Sequence, residues 1–266
     1  MQLDSTGYII GFAAVVCLVA SVFVSGSAVA LKDKQDENKL LDQQKKVLTV
    51  SGLINDDNGS GSNDDEVSEL SPEVVRGFFA DGKVSPQLVP MPGFQGSCDS
   101  LDVNTYDVRK AAKDASMSYE PGENPAKVSR VANCSLVYNV TTSDGERVIV
   151  PIRGPGLWST LRGYLAVDKA DSNTVMGLIF YEHAETPGLG GEVDNSRWRG
   201  LWPGRKVYEG DTVSLGVKKG QAGTPAEDPY NVDGLSGATL TSNGVTKALS
   251  FWLGPQGFGP FMQSAR

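Results

Sequence analysis

Between Asp233 and Ser242 the chain reads Asp-Gly-Leu-Ser-Gly-Ala-Thr-Leu-Thr-Ser. Just beyond, Val245, Ala248, Leu249 and Trp252 fall at helical spacing. The first turn of such a helix has backbone N–H groups without partners, and the helix dipole adds positive potential. The position therefore favours an anion such as a phosphate. Gly237 and Ala238 allow a bulky group close to the backbone, and Ser236, Thr239, Thr241 and Ser242 offer hydroxyls. The plainer reading is an ordinary helix, capped by Thr241 or Ser242, after an Asp-Gly turn.

A second stretch, Glu182-His183-Ala184-Glu185-Thr186-Pro187-Gly188-Leu189-Gly190-Gly191, follows a β-like run. One proline and three glycines make a tight loop with accessible amides, which can hug a flat ring or a phosphate. His183 beside Glu182, Glu185 and Glu192 raises metal binding or acid–base catalysis. A single His supplies no ligand set, and a solvated loop is the plainer reading. A third stretch is Gly154-Pro155-Gly156-Leu157-Trp158, whose Trp158 can stack on an aromatic ligand or pack in a core.

The elements that must position these stretches are legible in outline. Leu136, Tyr138 and Val140 alternate, as do Val148, Val150 and Ile152, with Ser143-Asp144-Gly145 as the turn between them. Residues 164–167 and 175–181 make a second pair across Asp171-Ser172-Asn173, and Val213, Leu215 and Val217 suggest one more strand. Residues 78–96, with Pro86, Pro90 and Pro92, read as irregular chain. The expected class is α+β: an antiparallel sheet with packed helices, preceded by one N-terminal transmembrane helix.

That helix follows from 27 uncharged positions between Ser5 and Leu31, enough to cross a hydrocarbon core of about 30 Å. A cleaved signal peptide competes, with Ala28-Val29-Ala30 as its site, but no Lys or Arg precedes the apolar run. The residues before Cys17 make a poor lipobox. Five lysines between Lys32 and Lys46 would, counted literally, hold the C-terminal bulk in the cytoplasm, although large domains translocate regardless. The expected layout is an anchor at 1–31, a helical connector at 32–54, a flexible acidic loop at 55–70 and a folded domain at 71–266. The acidic loop lacks the spacing of a calcium-binding EF-hand. Net charge is −8, which argues against a nucleic-acid binder. One His and three Cys exclude a Cys/His zinc cluster and a multi-disulfide scaffold. Cys98 and Cys134 are either one disulfide or two buried thiols.

Taken together, these stretches resemble one family. Ser236-Gly237-Ala238-Thr239 after Asp233 resembles the tag on which flavin transferase attaches FMN to a threonine. Residues 185–192, Glu-Thr-Pro-Gly-Leu-Gly-Gly-Glu, resemble the second signature of the same FMN-binding domains. With Gly156-Leu157-Trp158, Phe251-Trp252-Leu253-Gly254, Gly257-Phe258-Gly259-Pro260-Phe261 and the anchor, the whole chain resembles the C subunits of the Na+-translocating NADH:quinone reductases. The resemblance implies covalent FMN on Thr239 through a phosphoester, with the threonine as tether and not as catalytic residue. Ser236, Gly237, Ala238, Leu240 and Thr241 would surround the tether. Trp158, Glu185, Thr186, Leu189 and Gly190 would wall the flavin.

It further implies a bacterial inner-membrane complex with five other subunits, maturation by a flavin transferase, and a periplasmic domain, against the literal charge count. The complex would oxidise NADH, reduce quinone and export Na+. No dinucleotide fingerprint follows a strand, and the apolar helix carries no ionisable residue for Na+, so those tasks would fall to partner subunits. The acidic insertion departs from the family, and His183 stands where variation is expected. Rival readings are the FMN-carrying subunit of the related RNF complex, an anchored FMN-binding sensor or assembly module, and a metal-dependent hydrolase.

Overall fold

The computed structural model describes residues 5–54 and 69–264. The acidic stretch from 55 to 68 lies outside them. Contacts divide the chain into two units, 1–43 and 44–266.

The first helix, α1 (Thr6–Ser51), runs unbroken from the apolar stretch into the charged one. No Pro interrupts it, Ser25-Gly26-Ser27 is carried through as helix, and it ends at Gly52, whose φ is +61°. Among the described residues it is the one helix long and apolar enough to cross a membrane. Ile9, Phe12, Leu18, Val22 and Phe23 are all exposed within this chain. Its last turns, by contrast, belong to the folded unit: Val47, Leu48, Val50 and Ser51 are buried. Arg147 holds that end by donating from its guanidinium to the Ser51 carbonyl, a cation placed at the negative pole of the helix.

The folded unit is built on one antiparallel sheet of five strands. They are β1 (Val84–Pro90), β4 (Cys134–Thr142), β5 (Gly145–Pro155), β6 (Thr160–Asp168) and β7 (Val175–Glu182), and they lie side by side in that order. Both expected hairpins form. Asp144 and Gly145 close the first, and Ser172, at φ +48°, lies in the turn of the second. The prolines misdirect at one place: residues 78–96 are not irregular throughout but contain β1. Pro86 and Pro90 are tolerated because β1 is an edge strand, where one side of the backbone needs no partner.

One sheet face carries Val148, Val150, Ile152, Leu165 and Phe180. It is covered by α5 (Thr239–Trp252) through Val245, Ala248 and Leu249. Gly154 and Gly244 make this approach possible, since a Cβ on Gly154 would lie 2.6 Å from that of Ala248. The opposite face carries Tyr138, Ile149, Tyr164 and Ile179, all buried. Helix α2 (Pro72–Ala80), capped by Ser71, brings Phe79 edge-on to Tyr138 at 6.3 Å.

Short elements fill the rest: α3 (Val108–Ala111), β2 (Ser118–Tyr119), β3 (Val131–Ala132), α4 (Ser196–Arg199) and α6 (Gly259–Ser264). The strand expected over Val213–Val217 is split between β9 (Thr212–Val213), paired with β8 (Tyr208–Glu209), and β10 (Gly216–Lys218). The latter runs parallel to β11 (Asn231–Asp233). Ser214 and Leu215 both donate to the Val207 carbonyl, which breaks the ladder between them. Cys98 and Cys134 are joined in a disulfide, with Cα atoms 6.0 Å apart.

Candidate functional site

Thr239 is the first residue of α5, and it is exposed. The expected hydroxyl cap is not made. The N-cap position is Ala238, with no side-chain bond, so the first-turn amides have no side-chain partner. Ser242 is turned back and accepts from the Leu235 amide at 3.1 Å. Thr241 is buried and donates elsewhere. Gly237 holds φ +69°, and a Cβ there would lie 2.8 Å from a Leu189 methyl, so conformation and space both require glycine. Ser236 is exposed, Ala238 is buried, and Leu240 is 61% exposed.

The hydroxyl of Thr241 donates to Glu185 at 2.7 Å across 56 residues of sequence. The same buried carboxylate accepts from the amides of Leu157, Trp158 and Ser159 at 2.9, 3.0 and 3.1 Å, and from the Ser159 hydroxyl at 3.0 Å. Glu185 therefore joins the helix start, the 156–159 turn and its own loop. Burial works against its charge. The donors, Thr241 foremost, outweigh that and hold its pKa below the ordinary carboxylate range. Gly190 is buried against this joint: a Cβ there would lie 2.6 Å from the Thr241 hydroxyl and 2.8 Å from Glu185. Thr186 is exposed, and its carbonyl accepts from Leu189 and Gly191 to close the loop, with Gly188 at φ +75°.

The joint leaves apolar groups facing outward beside an open helix terminus. Trp158 is 72% exposed, so the core reading does not hold for it; Leu157 and Leu189 are about half exposed. The surface suits a planar aromatic group with an attached anion. His183 lies at its margin, with Nε2 2.7 Å from Asp194 and Nδ1 accepting from the Glu185 amide. Among the described residues no group of three His, Cys, Asp or Glu is placed to hold a metal. Gly156, part of the third stretch, lies against Glu185, where a Cβ would come within 2.4 Å of the carboxylate. Ser159 also belongs to the site, although sequence reasoning does not pick it out. The only signal for Ser159 in the sequence is its place beside Leu157-Trp158.

The stretch that carries these residues is an FMN-binding domain. The family model described as FMN-binding domain matches residues 156–254, a span that holds every site residue above. Over 269 residues the chain is 44% identical to the C subunit of the Na(+)-translocating NADH-quinone reductase from Pseudomonas aeruginosa, covering 99% of this chain and 97% of that protein. It is 40% identical over 268 residues to the C subunit from Yersinia pestis, covering 99% and 94%. The crystal structure of Shewanella oneidensis NqrC is similar with a TM-score of 0.68 and 31% identity, over 88% of this chain and 99% of that one. The chain belongs to the family of C subunits of the Na+-translocating NADH-quinone reductase.

Proposed function

We propose that this chain is the flavin-bearing subunit of a Na+-translocating NADH:quinone reductase, with FMN joined to Thr239 through a phosphoester. The observation that carries this reading is an exposed threonine as first residue of a helix whose N-terminus no side chain caps. A transferase can reach that hydroxyl, and the free amides of the first turn would stabilise the phosphate charge that remains. Bound there, FMN would supply electron transfer. The chain's own residues would orient it: Leu189, Leu240 and Trp158 offer apolar surface, and the Glu185 joint fixes the loops that bear them. Ser236, Gly237, Ala238, Thr186 and Gly190 shape the same opening.

Residues 71–266 form the flavin domain in this reading, 1–31 the anchor and 32–54 the connector. The domain stands on the periplasmic side of a bacterial inner membrane, within a complex of five further subunits, after maturation by a flavin transferase. The Cys98–Cys134 pairing supports the periplasmic side, because structural disulfides persist in oxidising compartments. A covalent tether is physically apt there, since a lost cofactor would have no pool from which to rebind.

The test is the intact mass of the denatured chain, made with and without a flavin transferase, beside Thr239→Ala. A gain of one FMN less one water, absent in the variant, is the expected result. Flavin retained in the variant would remove Thr239 from its role. No gain with an active transferase would leave an anchored domain that binds flavin without a bond.

A further inference from the structure

The other face of the sheet holds a second cluster of chemistry. Arg153 of β5 and Arg162 of β6 are direct cross-strand partners, and Arg162 is in turn paired with Glu182 of β7. Like charges placed opposite each other in a ladder weaken it, so this register calls for a compensating group. A third guanidinium, from Arg109, donates to Glu182 at 2.6 Å and lies 5.8 Å over the Tyr181 ring. Arg162 reaches the same carboxylate at 3.3 Å. Among the described residues Glu182 is the only carboxylate within ion-pair distance of the three arginines, and Arg153 makes no ion pair.

The donors are only partly used. Arg153 stacks 5.5 Å over Trp252 and gives one nitrogen to the Arg130 carbonyl at 2.5 Å. No other hydrogen bond from its guanidinium occurs among the described residues. Arg153 is mostly buried. That burial, with Arg162 and Arg109 nearby, pushes its pKa down to about 10. Three guanidinium charges against one carboxylate leave a local excess of two positive charges, on a chain whose net charge is −8.

We infer that the row Arg153–Arg162–Arg109 is a binding site for a phosphate monoester group, whose second ionisation gives a charge that matches the excess. Planar guanidinium forks suit the paired oxygens of such a group, and a carboxylate would leave one charge uncompensated. The site goes beyond the flavin reading and is separate from it. Arg153 packs on Trp252, the last residue of α5, about 20 Å along the helix from Thr239. A dianion bound there relieves the Arg153–Arg162 repulsion and ties three strands and α3 together.

The test uses the full-length chain in detergent, titrated with inorganic phosphate at constant ionic strength with chloride as the balancing anion. Calorimetry reads binding, and the thermal midpoint reads stabilisation. Saturable binding that raises the midpoint is expected, weakened about tenfold or more in Arg153→Gln and in Arg162→Gln. Arg162→Gln leaves the Arg153–Trp252 stack in place and removes a like charge, so its phosphate-free midpoint should match or exceed that of the parent. Arg162→Lys keeps the charge and loses the fork, and its binding should fall between the two. A second arm places the chain in phosphatidylcholine nanodiscs, with or without phosphatidic acid, in phosphate-free buffer. A rise in midpoint with phosphatidic acid, lost in Arg153→Gln, identifies a lipid headgroup as the source; a response to inorganic phosphate alone identifies a soluble one. No saturable response to either probe, or an equal response in the Arg→Gln variants, overturns the inference.

Discussion

The two ends of α5 are finished in opposite ways. At the C-terminal end the chain supplies partners from within itself. Leu253 is fully buried, its amide bonds back to Leu249, and its carbonyl accepts from the Tyr208 hydroxyl at 2.9 Å. Trp252 donates from its indole to the Arg153 carbonyl, and Phe258 closes over it. At the N-terminal end Ala238 caps nothing, Thr239 and Leu240 are exposed, and the nearest strong interaction, Thr241 to Glu185, points inward. One end is an ordinary solution to the problem of unsatisfied helix termini. The other is left open by the protein, which is what a ligand site requires. Substitutions at the two ends should therefore separate: changes at the closed end alter stability alone, and changes at the open end alter the cofactor.

The largest effect on stability, with a cofactor effect beside it, is expected at Glu185, which lies between the two behaviours. Glu185→Gln puts an amide NH2 where backbone amides and two hydroxyls converge, so at least one donor loses its acceptor in a buried place. The expected cost is about 2–4 kcal/mol in urea unfolding, with an altered flavin absorption spectrum. The sign of the pH dependence follows from the depressed pKa. The contribution of Glu185 is complete above the ordinary glutamate value, and it is lost as pH falls through the lower folded one. The urea midpoint of the parent should therefore drop as pH falls below the ordinary glutamate value, and the drop should be shallower in Glu185→Gln. A variant with the parent's acid profile would mean that the joint is not ionised.

A smaller effect is expected at the closed end. Tyr208→Phe leaves the buried Leu253 carbonyl without its hydroxyl partner and should cost about 1 kcal/mol, read by urea denaturation. Flavin attachment and its spectrum should stay as in the parent. A change in either would show that the two ends of the helix are coupled, and the contrast would then describe surface finish alone.

The contrast also marks what the residues disclose before folding. The two hairpins were legible because alternation and Asp-Gly or Asp-Ser turns act locally. Strand β1 was not, because Pro86 and Pro90 exclude a central strand and are silent about an edge one. The stretch around Thr239 and the Glu185 loop were each legible as candidate site, since small residues and hydroxyls at a helix start carry their chemistry in the local sequence. Their connection was not. The Thr241–Glu185 bond spans 56 residues, and no local pattern announces it. The facing of Arg153 and Arg162 was hidden for the same reason: it is a product of strand register, fixed by Pro155↔Thr160 and Arg147↔Asp168 at the two ends of the β5–β6 ladder.

The smallest effect on stability, and the most telling for the open end, is expected at Trp158. Its backbone amide belongs to the Glu185 joint, but its ring is 72% exposed and contributes little to the fold. Trp158→Ala keeps the amide and removes the ring, so unfolding should shift by no more than about 0.5 kcal/mol. If the ring is a wall for flavin, the same variant should show brighter flavin fluorescence, because a stacked indole quenches it, and a shifted midpoint potential. Leu189→Ala should move the potential in a milder way, as an apolar contact without a π face. Unchanged spectra and potential in both variants would take the exposed apolar groups out of the cofactor site. The open terminus would then hold the phosphate alone, with the ring system against another protein of the complex instead of this chain.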